Sequence, residues 1–486
     1  MANASTALID AGRTGVHIGG RWEDARSGGR FAVHDPATGD VVAEVADAGA
    51  ADAQRALDAA AAAAPAWAAS AARERSDVLR RAFDAVRDRR DEFAATITSE
   101  MGKPLHEARS EVEYGAEFLR WYSEEAVRSN GRTGAWPEGR QSLEVRRRPV
   151  GLCYLVTPWN FPLAMVTRKI APALAAGCTA VLKPAELTPL TAMLMLDVLA
   201  DAGCPPGVVN LLTTSDPGAV SEAVFADSRL RKVSFTGSTA VGRTLLRRAA
   251  GQVVRTSMEL GGNAPFVVLP GADVTAAVDA AMTAKYRNMG QACTAANRFL
   301  VHESLIAEFG EELARRSRQL VVGPGADPAT TIGPLITSTA VERSLRLIDD
   351  AVARGASLLA GGRRIDGKGN YLEPTVLSGV TPGSEILAEE IFAPVAPISG
   401  FASVDDAVRR ANDTEYGLAG YVCAPTKEAG EAVAARLEVG MVGINSGVIS
   451  NAAAPFGGVK SSGMGREGGS EGLDEYLTAQ YVSCPL

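Results

Sequence analysis

The chain has 486 residues, 46% hydrophobic and 22% charged, with a formal net charge of −8. That length implies two or three domains, and the composition excludes a disordered or fibrous protein. The acidic balance argues against a protein that binds nucleic acid chiefly through its phosphates, which requires a cationic face.

The N-terminal stretch MANASTALIDAGRTG lacks the basic start and apolar core of a signal peptide, and no window approaches 18 uninterrupted apolar residues. A cytoplasmic protein without a membrane partner is expected. Residues 50–125 are rich in Ala, Glu and Arg, and RSDVLRRAFDAVRDRRDEFAATI spaces its apolar positions for amphipathic scaffold helices. The alanine run near residue 60 favours helix until Pro65 interrupts it.

From residue 151 short apolar runs alternate with helical stretches: GLCYLVT, AMVTRKIAPALAAG, TAVLKP, TPLTAMLMLDVLADAG, VVNLLT, a helix near 217–227, and RKVSFTG. This βαβ series predicts an α/β domain with a parallel sheet, whose ligands bind at the carboxyl ends of its strands. A second α/β series runs from about 262 to 440, with strands at NAPFVVL, NRFLVH, YLEPTVL and VAPISGF. Residues 440–470 are dense in Gly, Ser and Asn and read as ordered loop crossing back toward a site.

Two glycine patterns compete for a phosphate. GMGREG at 463–468 satisfies G-x-G-x-x-G, but it follows KSS instead of an apolar strand. GSTAVGRT at 237–244 stands between a strand and a helix, yet Arg243 occupies the place where a triphosphate loop uses Lys. What remains is a helix N-terminus, which suits a dinucleotide pyrophosphate better than a triphosphate.

The six cysteines form no C-x-x-C pair and lie near no histidine cluster, so neither a disulfide framework nor a metal site is indicated. The four histidines are isolated, which leaves any general base to another residue type. Cys293 in GQACTAANR is either a small buried hydrophobe or an accessible nucleophile. Glu259 in MELGGNAPF is a salt-bridge partner or a base whose pKa is raised by burial. Asn160, confined between Pro158 and Pro162, is a structural turn or an amide aimed at a developing oxyanion.

Taken in order, TPWNFP, KPAE, FTGS, MELGGNAPF, GQACTAANR, EEIFAPV, NDTEYGLAG and PFGGVKSSGMGREGG resemble the aldehyde dehydrogenase superfamily over nearly the whole chain. MVTRK, YRNMGQAC and GVISN resemble its succinate semialdehyde dehydrogenases most. The resemblance implies a doubly wound Rossmann-type cofactor domain (1–125 and 148–260) and a catalytic α/β domain (261–440). It also implies an oligomerisation element (126–147 and 471–486) and a loop (441–470) returning to the active site, in a homodimer or homotetramer.

The implied chemistry oxidises an aldehyde to a carboxylate. Cys293 attacks as thiolate, the Asn160 amide and the Cys293 backbone N–H hold the alkoxide, and Glu259 activates the water that hydrolyses a thioester. By the same resemblance Trp159, Lys183, Glu186, Gly237, Ser238, Leu260, Glu390 and Phe392 surround a nicotinamide cofactor. Lys183 and Glu186 would meet the adenosine ribose, where an acidic side chain repels a 2′-phosphate and favours NAD over NADP.

Arg168 and Arg287, with Ser450, match positions that bind the distal carboxylate of succinate semialdehyde. Ala295 stands where some relatives carry a second cysteine, so no regulatory disulfide is expected there. Two other readings stand beside this one: a dehydrogenase for another acidic or aliphatic aldehyde such as glutarate semialdehyde, and a non-catalytic protein that kept the fold. The presence of Cys293, Glu259 and Asn160 together argues against the latter.

Overall fold

The structure, a computed structural model, describes residues 12–486; the segment read above for a targeting signal lies, through residue 11, outside the described residues. Five parallel strands, Leu152–Val156, Thr179–Lys183, Val209–Leu211, Leu230–Thr236 and Arg255–Glu259, form the centre of an eight-stranded sheet. Numbered one to five along the chain, they lie in the order 3-2-1-4-5, so the winding reverses between Leu152–Val156 and Leu230–Thr236. The helices part at such a reversal and leave a crevice at the carboxyl ends of those two strands.

The first two strands are buried along their whole length, as strands covered on both faces must be. Three short edge pieces extend the sheet: Val16–Ile18 and Arg21–Glu23 beyond Val209–Leu211, and Gly463–Met464 beside Arg255–Glu259. Each is two or three residues long, too short to show a period in the sequence.

The helices Ala50–Ala69, Ala72–Asp88, Arg90–Met101 and Leu105–Ala126 occupy the Ala-, Glu- and Arg-rich region. In the second of these, Val78, Leu79, Ala82, Phe83 and Val86 are buried, the stripe that the spacing requires. One expectation is corrected here: Pro65 does not interrupt the alanine run, because the helix Ala50–Ala69 continues through it. A helical proline frees the carbonyl four residues back. Pro65 lies on the exposed side, where water can reach the Ala61 carbonyl, and buried Trp67 anchors the next turn.

The second sheet has seven strands, in the order Ser357–Ala360, Thr375–Ser378, Val395–Phe401, Ala296–His302, Ala264–Val268, Ala419–Cys423, Met441–Ile444. All its neighbours are parallel except the first pair. A third, antiparallel sheet joins Leu477–Val482 to Ser142–Pro149 and Arg132–Ala135. No helix among the described residues is long and apolar enough to cross a membrane.

Only residues 260–263 separate Arg255–Glu259 of the first sheet from Ala264–Val268 of the second. The crevice of the doubly wound sheet therefore opens against the second sheet.

Candidate active site

A cavity of about 400 Å³ occupies that junction. Pro158, Trp159 and Asn160 enter it from the loop after the first central strand, and Gly237 and Ser238 from the loop after the fourth. Ser238 caps the helix Thr239–Ala250, its hydroxyl accepting from the Val241 N–H at 3.4 Å. A side chain at Gly237 would place its Cβ 2.5 Å from the tip of the Phe235 ring, which would have to shift to admit it. Arg243 turns outward to Glu415, at 2.6 Å, and takes no part in the cavity.

Glu259, Leu260 and Cys293 line the deeper part, and Glu390 and Phe392 close it from the second sheet's side. Glu259 ends its strand at 2% exposure, and neither carboxyl oxygen has a hydrogen-bond partner among the described residues. Burial, then the neighbouring Glu467 carboxylate, holds this carboxyl well above the ordinary carboxylate range. Cys293 is partly exposed to the cavity, yet the protein packed around it pushes its thiol up to about 12, with Arg168 pulling the other way.

The backbone around the thiol is tightly placed. A Cβ at Gly262 would lie 2.4 Å from the Cys293 carbonyl oxygen, so the approach of the two loops requires glycine. Asn160 Nδ2 donates to the Gln291 carbonyl at 3.0 Å, two residues before the cysteine. An amide nitrogen carries two N–H groups, and the second is left for a ligand. Trp159 and Phe392 meet edge to face with centroids 5.5 Å apart, and Glu390 Oε1 accepts from the Gly262 N–H at 3.0 Å. Burial pushes the Glu390 carboxyl up to about 7.

Five sequence-derived candidates stand outside the lining. Lys183 ends its strand, donates to the Pro184 carbonyl at 2.9 Å and lies 3.7 Å from the Glu186 carboxylate. Arg168, on the helix Ala164–Ala176, is 1% exposed and lies 4.1 Å from the centroid of the Phe456 ring. Arg287 lies 5.7 Å from the centroid of the Phe161 ring. Ser450 borders a separate cavity of about 410 Å³ that it shares with Tyr114, the hydrogen-bond partner of Arg168.

Sequence reasoning missed several charged residues beside these. Lys169 and Glu467 form a buried ion pair, in which Lys169 and Arg168 hold the Glu467 carboxyl below its ordinary value against the upward push of burial. Lys169 and Arg168 are adjacent and are the two charges of a largely apolar helix, and that pair was the available signal. Gln291 and Arg343 also line the cavity; Arg343 faces Glu389 at 2.9 Å.

A dinucleotide fits this arrangement. The cavity runs from a capped helix N-terminus, whose N–H groups favour a pyrophosphate, to the thiol, with apolar walls for a planar ring.

Residues 22–482 match the model of the aldehyde dehydrogenase family. The chain is 55% identical over 442 residues to a succinate-semialdehyde dehydrogenase of Paenarthrobacter nicotinovorans, covering 91% of this chain and 98% of that one. It is 45% identical over 470 residues to a glutarate-semialdehyde dehydrogenase of Pseudomonas putida, covering 97% of both chains. The crystal structure of an NADP-dependent enzyme of E. coli superposes with a TM-score of 0.96 at 43% identity, covering 98% of each chain.

Proposed function

The chain belongs to the aldehyde dehydrogenase family and oxidises an aldehyde to a carboxylate with NAD or NADP; on that premise we propose that its substrate is succinate semialdehyde and its nucleophile Cys293. The observation that carries the substrate is the Arg168 guanidinium, whose buried Nε and Nη1 have no hydrogen-bond partner among the described residues. The nearest carboxylate, Glu467, is 3.8 Å from Nη1 and already engaged by Lys169. Buried donors left open are costly, and a carboxylate matches the planar fork of a guanidinium. Arg287 and Ser450 complete the group that receives the distal carboxylate.

The thiol of Cys293 must lose its proton before it attacks the aldehyde carbon, and the Arg168 charge favours that loss. The free N–H of Asn160, with the Cys293 backbone N–H, stabilises the alkoxide of the tetrahedral adduct. When bound, the oxidised nicotinamide cofactor supplies the hydride acceptor that turns this adduct into a thioester. Trp159, Leu260, Glu390 and Phe392 would hold its nicotinamide end, Gly237 and Ser238 its pyrophosphate, and Lys183 and Glu186 its adenosine ribose. Glu259, once ionised, takes a proton from the water that hydrolyses the thioester on Cys293.

NAD is the preferred cofactor in this reading, because the half-exposed Glu186 carboxylate beside Lys183 opposes a 2′-phosphate. The first sheet with residues 1–125 and 148–260 is the cofactor domain, and the second, 261–440, the catalytic one. The segments 126–147 and 471–486, which carry most of the third sheet, are the oligomerisation element of a homodimer or homotetramer. The sheet's edge strand Arg132–Ala135 is exposed at every residue, an edge that pairing with another copy would cover.

A panel of aldehydes assayed with each cofactor tests the reading. Succinate semialdehyde is expected to exceed glutarate semialdehyde, and both to exceed a neutral aldehyde of equal length, in kcat/KM. A neutral aldehyde that does better removes the role of the arginines. A Cys293→Ala protein that still oxidises aldehydes removes the mechanism.

A further inference from the structure

The side-chain amide of Asn160 faces the reaction, and its backbone carbonyl accepts hydrogen bonds from two directions. On one side Lys103 Nζ donates to it at 3.0 Å and to Glu111 Oε2 at 2.5 Å, with the ammonium 4.1 Å from the Phe161 ring centroid. Both charged side chains of that pair are 1% exposed. The other Glu111 oxygen accepts from the Leu163 and Ala164 N–H groups at 2.9 and 3.2 Å, at the start of the helix that carries Arg168.

On the other side Asn288 Nδ2 bridges two carbonyls, Asn160 at 3.1 Å and Gln291 at 2.8 Å. The Gln291 carbonyl is the one that orients the Asn160 amide. Asn288 and Met289 both have φ of 55°, the left-handed region, which Asn tolerates and Met rarely adopts. The Asn288 N–H is pinned to Glu107 Oε2 at 2.8 Å. Such backbone persists only where its surroundings over-determine it.

Lys103, Glu111 and Asn288 do not line the cavity, so none of them reaches the reacting atoms. We propose that Lys103 and Asn288 are positioning residues for the oxyanion step: they clamp the Asn160 carbonyl from two sides and thereby fix where its amide meets the alkoxide. This rests on Asn160 being the oxyanion donor. Such a donor works only when it sits about 2.7–3.1 Å from the developing charge, so slack in this loop lowers kcat and leaves cofactor binding alone.

A double-mutant cycle tests the clamp. Asn288→Gly accepts the left-handed backbone and removes the side chain; Asn288→Asp keeps the volume but sets an acceptor against two carbonyls. Either is expected to lower kcat about tenfold per active site counted by Cys293 titration, with the cofactor KM unchanged. In an Asn160→Ala background the same changes are expected to cost less than about twofold, since the residue they act through is gone.

Equal losses in both backgrounds, or no loss with Asn160 intact, overturn the clamp alone. An Asn160→Ala protein with undiminished kcat overturns the oxyanion assignment as well. Should the Asn288 variants fail to fold, the cycle is run with Lys103→Arg, which keeps the charge beside Glu111 and changes the reach to the carbonyl. The same two criteria then decide.

Discussion

Arg168 Nη2 donates to the Tyr114 hydroxyl at 2.5 Å, the one hydrogen bond of that buried guanidinium among the described residues. Tyr114 thereby sets the plane of the fork and leaves its other edge open. Charge-assisted hydrogen bonds contribute about 1.5–3 kcal/mol each, or roughly tenfold to a hundredfold in affinity. Arg168→Met, which can still pack on Phe456, is expected to raise the KM for succinate semialdehyde by at least about tenfold and to change that for butanal little. Steady-state kinetics on both aldehydes check it, and an equal rise in KM for both would show that Arg168 does not receive the distal carboxylate.

The thiol of Cys293 supplies a pH dependence. With burial pushing it up to about 12, the thiolate fraction below that point rises tenfold per pH unit. Alkylation of the cofactor-free protein by iodoacetamide should therefore accelerate about tenfold per unit from pH 7 to 9. A plateau near pH 8 would mean that the thiolate is already formed. In turnover Glu259 brings a second dependence, because a carboxyl held protonated by burial becomes a base for thioester hydrolysis only as pH rises.

Lys285 makes stability itself depend on pH. It is fully buried, has Asn297 Oδ1 at 3.2 Å as its partner, and is pushed down by burial to about 7, with Glu390 opposing. An unfolded lysine titrates near 10.4, so from about pH 7 to 10 the unfolded chain holds a proton that the folded one has shed. Stability contributed by this residue therefore rises with pH through that window, and the penalty for its buried charge is greatest below about 7. Lys285→Met is expected to raise Tm more at pH 6 than at pH 9. Thermal melts showing the same shift at both would contradict the assignment.

The cofactor ratio tests Glu186. Its carboxylate is half-exposed and 3.7 Å from Lys183, so replacing it frees the ammonium and removes a negative charge. Glu186→Ser is expected to raise kcat/KM with NADP relative to NAD by several-fold, an exposed charge contributing about 1 kcal/mol. An unchanged ratio would place the discrimination elsewhere.

The parallel sheet was legible because four of its five central strands are short runs each followed by a helix, and Gly237 with Ser238 declared a helix start by their context; Arg255–Glu259, polar at its start and followed by another strand, gave no such signal. Pro65 misled because propensity is local, whereas Trp67, two residues further along the same helix, is buried in the core and holds the last turn in place. The Lys103 and Asn288 contacts could not be read from sequence. They join residues 57 and 128 positions from Asn160, and nothing in a linear chain marks a carbonyl that accepts twice. Lys169 illustrates the same limit: a buried lysine is visible as an oddity, but its partner Glu467 is 298 residues away.

That pair yields the last prediction. Lys169 also donates to Ser234 Oγ at 3.0 Å, and the same hydroxyl lies 3.2 Å from Glu467, so the pair ties the helix Ala164–Ala176 and the strand Leu230–Thr236 to the C-terminal loop. Removing one partner strands a buried charge, and Glu467→Gln is expected to cost about 3–5 kcal/mol. Replacing both, Lys169→Met with Glu467→Leu, should recover most of that loss in urea denaturation. The Glu467 carboxylate is also the charge that, after burial, holds the Glu259 carboxyl high. With that charge neutralised, Glu259 ionises more easily, so the rising limb of the pH–kcat profile should move toward acid in Glu467→Gln. A limb that stayed in place or moved toward alkali would show that Glu259 does not set it.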